Sequence, residues 1–316
     1  MLDTAKMSQQ APRGRLAPSP TGRMHLGNAR TFLVAWLAVR GEGGRLIMRI
    51  EDLDGPRVIP GAESAMLGDL WWLGLDWDEG PDSTGSQALY RQSERTGLYE
   101  DALAKLRQEN RAFPCACSRA ELESAASAPH DEGDGPVYPG TCRDLSEDEV
   151  VTRAHARGRK VAWRFRAEAH PISFSDRIFG AQQRNVDDFV LMRADGVPSY
   201  QLAVTVDDLA MGITQVVRGA DLLGSTARQL ALMAVFKGQA PTYAHVPLVL
   251  SPEGTRLAKR NRPVALEDLR NQGITANTVR SQLARSLGIA CDEYAKPPDL
   301  VAQFSFDKIN IRAWTP

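Results

Sequence analysis

The spacing of apolar residues changes several times along the chain, and each change predicts an element. Residues 15–18 (Arg-Leu-Ala-Pro) predict a short buried strand. In 29–40, Phe32, Trp36 and Val39 fall on one helical face, and Gly-Glu-Gly-Gly (41–44) stops the run. Residues 45–54 (RLIMRIEDLD) are apolar and β-favouring until they reach Glu51, Asp52 and Asp54. Residues 61–75 predict a helix with Leu67, Leu70 and Trp71 on its apolar side. Strand, glycine-rich loop, helix, strand and helix form a βαβ opening, so the fold class is α/β with a parallel sheet.

Further along, 160–167 (KVAWRFRA) predicts a strand, and 187–219 reads as hairpin and strand material around an Ala194-Asp195-Gly196 turn. Residues 225–238 predict a helix stopped by Gly238, and 245–262 a strand, a turn and a basic loop. From 264 onward the pattern is helical. Residues 112–145 differ: they hold three of the four cysteines, and 124–140 is polar and turn-rich. Such an insert has little core of its own and needs another source of stability.

Composition narrows the class. In 316 residues, 43% are hydrophobic and 24% charged, a globular balance. No apolar run approaches the ~18 residues of a membrane span, and the polar start lacks the apolar stretch of a signal peptide. Four unevenly spaced cysteines do not describe a secreted disulfide scaffold, so a cytoplasmic protein is expected. A net charge of −1 leaves a nucleic-acid partner open, because such binding needs a local basic surface.

Two loops carry candidate chemistry. The first, 17–28, joins a strand to a helix and contains Pro18, Pro20, Gly22, His25 and Gly27. A helix N-terminus offers unpaired N–H groups and a positive dipole end to phosphate, glycines allow close approach, and His25 can donate a hydrogen bond. The second, SPEGTRLAKRNR (251–262), carries Arg256, Lys259, Arg260 and Arg262, cations suited to clamping a polyphosphate. Taken separately, each also reads as an ordinary turn-rich or solvated basic loop.

Together the loops resemble the signature pair of class I aminoacyl-tRNA synthetases. His25-Leu26-Gly27-Asn28 is similar to HIGH, and Arg256-Leu257-Ala258-Lys259-Arg260 to KMSKS. Residues 15–30, 49–54, 73–81, 199–223 and 256–261 resemble the glutamyl-tRNA synthetase group in the same order. The resemblance implies a Rossmann-like nucleotide-binding core with a parallel sheet, an inserted acceptor-binding-like subdomain with a zinc site, and a short helical C-terminal part. The boundaries expected are a lead at 1–13, core halves at 14–111 and 191–262, an insert at 112–190 with its zinc segment at 115–142, and a helical region at 263–316. Residues 261–316 are too few for an anticodon-binding domain. That points to the shortened branch of the group, which activates L-glutamate with ATP and Mg2+ and transfers it to the cyclopentenediol of queuosine in tRNA(Asp). The alternatives are a minimal enzyme charging a tRNA 3′ end and a non-catalytic binding module; a monomer is expected.

By resemblance, His25 and Lys259 are catalytic, and His25, Gly27, Asn28, Arg256, Leu257 and Lys259 bind ATP. Asn28 stands at the last HIGH position, while Arg256, Ala258 and Arg260 replace a lysine and two serines of KMSKS. A buried carboxylate wants an arginine fork and an ammonium wants a carboxylate. The resemblance gives those tasks to Arg15 and Arg218 and to Glu51, with Ala17, Ser19 and Tyr200 completing the glutamate site.

Cys115 and Cys117 are too close for an easy disulfide, but with Cys142 they can share a metal. A structural Zn2+ would contribute folding energy to the insert directly. Spacing leaves His130 and Tyr138 open as fourth ligand; the resemblance points to Tyr138. Cys291 stands apart and reads as a packed thiol.

Overall fold

The structure, a computed structural model, describes residues 11–82, 89–125, 137–250 and 264–315. Strands β1 (Arg13–Leu16), β2 (Arg45–Met48), β5 (Ile172–Asp176), β6 (Gly180–Arg184), β8 (Gln215–Gly219) and β9 (Thr242–Val246) form one sheet in the order β2-β1-β8-β9-β5-β6. All its pairings are parallel except the β5–β6 hairpin at the edge. Strands β3 (Ala112–Cys115), β4 (Ala162–Phe165) and β7 (Val190–Met192) form a separate antiparallel sheet. The stretch 112–190 therefore contributes to both sheets.

The first parallel pair, β1 and β2, is connected through α1 (Leu26–Gly41) as the βαβ reading requires. Leu33, Val34, Leu37 and Val39 of α1 are all at most 1% exposed, because this helix is covered by the sheet on one side and by the C-terminal helices on the other. Those covering helices are two of the later ones, in a set comprising α2 (Ala62–Trp72), α3 (Thr96–Gln108), α4 (Arg119–Ala125), α5 (Glu147–His155), α6 (Tyr200–Ala210), α7 (Ser225–Val235), α8 (Leu266–Asn271), α9 (Ala276–Ser286) and α10 (Pro297–Val301). α9 and α10 are the pair packed on α1.

Some local expectations change. Residues 200–210, read as strand material, are the helix α6. Ser199 caps it by accepting the Leu202 N–H, and packing on both faces overrides the β-branched residues Val204, Thr205 and Val206. Trp71, expected on the apolar side of α2, is 51% exposed; that helix buries Ala62, Met66, Asp69 and Leu70 instead. After α7 the left-handed position belongs to Lys237 (φ 57°), with Gly238 donating back to the Met233 carbonyl.

The sheet order reverses around β1: β2 lies on one side and β8 on the other. In an open α/β sheet such a reversal opens a crevice beyond the carboxyl ends of the strands, where ligands bind. Both flanks of the basic segment meet this end of the molecule. Leu250 donates to the Trp314 carbonyl at 2.8 Å, and Trp314 donates to Leu248 at 2.9 Å. On the other flank Ala265 bridges His25, and Leu266 donates to the Met24 carbonyl at 2.9 Å.

Candidate active site

His25 is the N-cap of α1, with extended backbone (φ −110°, ψ 168°). Its Nδ1 accepts the N–H groups of Gly27 at 3.1 Å and Asn28 at 3.3 Å, and the Asn28 side chain returns to the His25 N–H. This corrects the expectation that those first-turn N–H groups are available to phosphate: the imidazole takes them. With Nδ1 an acceptor, a neutral ring carries its proton on Nε2, and the Gly27 and Asn28 N–H groups are turned to the ring. Gly27 is explained by the same ring, since a Cβ there would lie 3.0 Å from Cε1 and Nδ1 of His25.

Beyond β1, β8 and β9 lies a cavity of about 410 Å³. Its lining contains every described residue of the proposed site: Arg15, Ala17, Ser19, Glu51, Tyr200 and Arg218 on one part, and His25, Gly27 and Asn28 on another. Lys259, Arg256 and Leu257 lie outside the described residues.

Four charges alternate at the floor. Asp208 of α6 accepts Arg49 Nη1 at 2.6 Å and lies 3.7 Å from Arg15 Nε; Arg49 Nη2 reaches Glu51 Oε1 at 3.1 Å. Arg15 also donates to the Val217 carbonyl at 2.9 Å, which fixes it against β8. Burial would depress Arg49, but Asp208, Glu51 and Asp207 outweigh it and hold the guanidinium above its ordinary value. Arg15 moves the other way: burial outweighs Asp208 and lowers it. Burial also raises Glu51, against the pull of Arg49 and Arg15. At this floor Arg15 and Glu51 line the cavity, backed by the concealed pair Arg49 and Asp208 in opposite order. Asp207, next in the chain, lies 3.9 Å from Arg49 Nε and takes its hydrogen bonds from Arg95, Gln92 and Tyr99.

Arg218 is only 4% exposed and heavily restrained. Its Nε donates to His245 Nε2 at 3.0 Å, Nη1 to Gln229 Oε1 at 2.7 Å and Tyr200 Oη at 3.3 Å, and Nη2 to Thr226 Oγ1 at 2.8 Å. A guanidinium has five N–H groups, so these bonds leave an Nη2–H directed by its neighbours, and the long Tyr200 bond is the easiest to exchange. Burial raises the Tyr200 phenol, which keeps it a neutral donor.

The supporting residues Arg49, Asp208, His245 and Asp176 were not singled out in the sequence. Their signal was present: charged or polar letters inside apolar runs, as in LIMRIE and VTVDDLA. A charge in such a run is costly unless paired, and each of these is paired.

The family model "tRNA synthetases class I (E and Q), catalytic domain" matches residues 12–295. The chain belongs to this family of class I synthetases. It is 48% identical over 301 residues to a Glutamyl-Q tRNA(Asp) synthetase of Symbiobacterium thermophilum, covering 94% of this chain and 93% of that one. A protein of the same name from Nitratidesulfovibrio vulgaris is 48% identical over 290 residues, covering 90% and 89% respectively. Among solved structures, a glutamate tRNA ligase from Elizabethkingia meningosepticum in complex with its amino acid is similar at TM-score 0.83 and 30% identity. That match covers 97% of this chain and 67% of the other.

In this class I synthetase the stretch after α3 gathers a second constellation. The Sγ atoms of Cys115, Cys117 and Cys142 lie within 4.8 Å of one another, and Cys117 and Cys142 are 3.7 Å apart. Tyr138 Oη lies 3.6 Å from Cys115 Sγ and accepts the Cys142 N–H at 2.7 Å. A tetrahedral zinc with Zn–S bonds of about 2.3 Å separates its sulfurs by roughly 3.8 Å, so the donor set fits such an ion. Tyr138 packs beside Phe113, with centroids 5.9 Å apart, and the Arg164 guanidinium lies over its ring, 4.1 Å from the centroid. His130 lies outside the described residues. Cys291 is half-buried against the main core, its thiol 3.8 Å from the Ser281 carbonyl. Among the described residues, no helix is long and apolar enough to cross a membrane.

Proposed function

We propose that this protein activates L-glutamate with ATP and transfers the glutamyl group to the queuosine cyclopentenediol at the wobble position of tRNA(Asp). The observation that carries the reading is 48% identity along nearly the whole of both chains to relatives named for that reaction. The cavity supplies matching chemistry. Arg15 and Arg218 receive the substrate carboxylates, Glu51 the α-ammonium, and Ser19, Tyr200 and the Ala17 backbone orient the amino acid.

In the first step a glutamate α-carboxylate oxygen bonds to the α-phosphorus of ATP, and the bond to pyrophosphate breaks. His25, through Nε2–H, stabilises phosphate charge from the α1 side; Lys259 and Arg256 act from the basic segment, with Leu257, Gly27 and Asn28 against the nucleotide. Positioning and charge stabilisation are the protein's contributions here. Mg2+ enters with ATP. In the second step a queuosine hydroxyl attacks the mixed-anhydride carbonyl, AMP leaves with the phosphate oxygen, and the hydroxyl proton is released.

Cys115, Cys117, Tyr138 and Cys142 hold one structural Zn2+ in the insert, which orders a part of the chain whose own buried cluster is small. The protein acts as a monomer in the cytoplasm, where its nucleotide and tRNA substrates are.

The test is glutamate charging of queuosine-containing tRNA(Asp), queuosine-free tRNA(Asp) and tRNA(Glu). Label on the first alone is the expected result. Label on tRNA(Glu), independent of queuosine, would overturn the reading in favour of 3′-end charging.

A further inference from the structure

Behind Arg218 three neighbouring strands carry a buried polar line that the activation chemistry above does not use. β8, β9 and β5 are adjacent, with Arg218 in register with His245 and Asp176 in register with Tyr243. Asp176 Oδ2 lies 2.6 Å from His245 Nδ1, and His245 Nε2 lies 3.0 Å from Arg218 Nε. All three side chains are withdrawn from water, His245 at 0% exposure.

The direction of each hydrogen bond follows from its neighbours. Asp176 Oδ1 accepts the N–H groups of Ile178 and Phe179, both at 2.9 Å, and of His245 at 3.3 Å, leaving Oδ2 for the ring. A carboxylate can only accept, so Nδ1 donates to it. An arginine can only donate, so Nε2 must accept from Arg218. The imidazole is therefore neutral with its proton on Nδ1, and the Thr226 hydroxyl, 3.2 Å from Nε2, can donate to the same lone pair. Burial lowers His245, despite Asp176, in agreement with a neutral ring.

We propose that Asp176 and His245 are positioning residues that set glutamate recognition: by fixing the His245 tautomer they hold Arg218 with its substrate-facing edge toward the amino-acid carboxylate. An arginine tethered only through Nη1 and Nη2 can still tilt about the line joining those two nitrogens. An acceptor behind Nε locks the plane of the fork, and a neutral one leaves the full positive charge for the ligand. The inference rests on Arg218 binding glutamate, as proposed above.

Asp176→Asn is the sharpest probe. The amide must keep its oxygen toward three backbone N–H groups, which turns its NH2 toward His245 Nδ1. Nδ1 must then accept, the proton moves to Nε2, and Nε2–H faces the Nε–H of Arg218. One nearly isosteric change reverses the tautomer and evicts the arginine. His245→Gln can still donate to Asp176 and accept from Arg218, whereas His245→Leu can do neither.

Glutamate-dependent ATP–pyrophosphate exchange, with KM and kcat for glutamate and for ATP, is to be measured on the zinc-replete full chain and these variants. Circular dichroism and ¹⁵N spectra of the histidine rings accompany it. The expected result is an Nδ1–H tautomer for His245 in the parent. The glutamate KM should rise roughly 10- to 100-fold in Asp176→Asn and His245→Leu, with the ATP KM unchanged. His245→Gln should keep the glutamate KM near that of the parent, and discrimination against glutamine should shrink only in Asp176→Asn and His245→Leu. An Nε2–H tautomer in the parent, or unchanged glutamate KM in folded Asp176→Asn, would overturn the proposal. If His245→Leu fails to fold, Asp176→Asn and His245→Gln decide it. Absence of glutamate-dependent exchange in the parent would instead overturn the glutamate reading itself.

Discussion

Arg49 Nη1 and Asp208 Oδ1 meet at 2.6 Å with side chains 0% and 1% exposed, and each also touches a residue that faces the cavity. Arg49 steadies Glu51 and Asp208 steadies Arg15, so the ligand-facing pair rests on a concealed pair. Removing one member of such a couple leaves a buried charge uncompensated. Arg49→Met should cost about 3–5 kcal/mol of stability in urea denaturation and raise the glutamate KM through Glu51. Arg49→Lys keeps the charge but cannot span both carboxylates, and should fall between the parent and Arg49→Met.

Glu51 predicts a pH effect. Burial raises its carboxyl above the ordinary value, so the ionised form proposed to meet the substrate ammonium is lost sooner as the solution is acidified. The glutamate KM should rise as pH falls through this raised value, above the usual carboxylate range, and Glu51→Gln should flatten that limb at a higher KM. Stability runs the opposite way. A carboxyl raised by folding favours the native state below its unfolded pKa, and that contribution disappears as pH rises through the folded value. Glu51→Gln should therefore be no less stable than the parent near neutrality.

His25 has two separable duties. His25→Asn retains a good N-cap but no Nε2–H, so melting should change little while the exchange kcat falls on the order of 100-fold. His25→Ala loses both and should also cost about 1 kcal/mol. Gly27→Ala, whose Cβ would press on the ring at 3.0 Å, should lower kcat with a smaller effect on melting.

Metal content tests the thiol cluster. Elemental analysis should return one zinc per chain, lost on Cys142→Ser and on prolonged chelation, with lower stability in the insert. Tyr138→Phe keeps the three sulfurs and should bind zinc more weakly than the parent. Unchanged affinity would remove Tyr138 from the ligand set.

The parallel βαβ start, the strand-to-helix loop and the Cys115, Cys117, Cys142 grouping were legible because local pattern decides them. Arg15, Glu51 and Arg218 became readable as candidate site residues through ordered resemblance, and all three line one cavity; each alone is only a charged letter. α6 was misread because Val204, Thr205 and Val206 favour strands, and helix formation there depends on surfaces brought by distant segments. His25 was rightly placed at a helix mouth, but its cap geometry needed coordinates: sequence gives the residue, not which ring nitrogen faces the backbone. His245 and Asp176 stayed hidden because 69 positions separate them and only the sheet order brings them together.

The two anchored flanks of the basic segment bear on its tolerance to change. Leu250 is fixed through Trp314, and Ala265 through His25, so the ends of residues 251–263 are held by partners outside the segment. These anchors are backbone contacts of Leu250, Trp314, Ala265 and His25, so the departures at Arg256, Ala258 and Arg260 leave both of them in place.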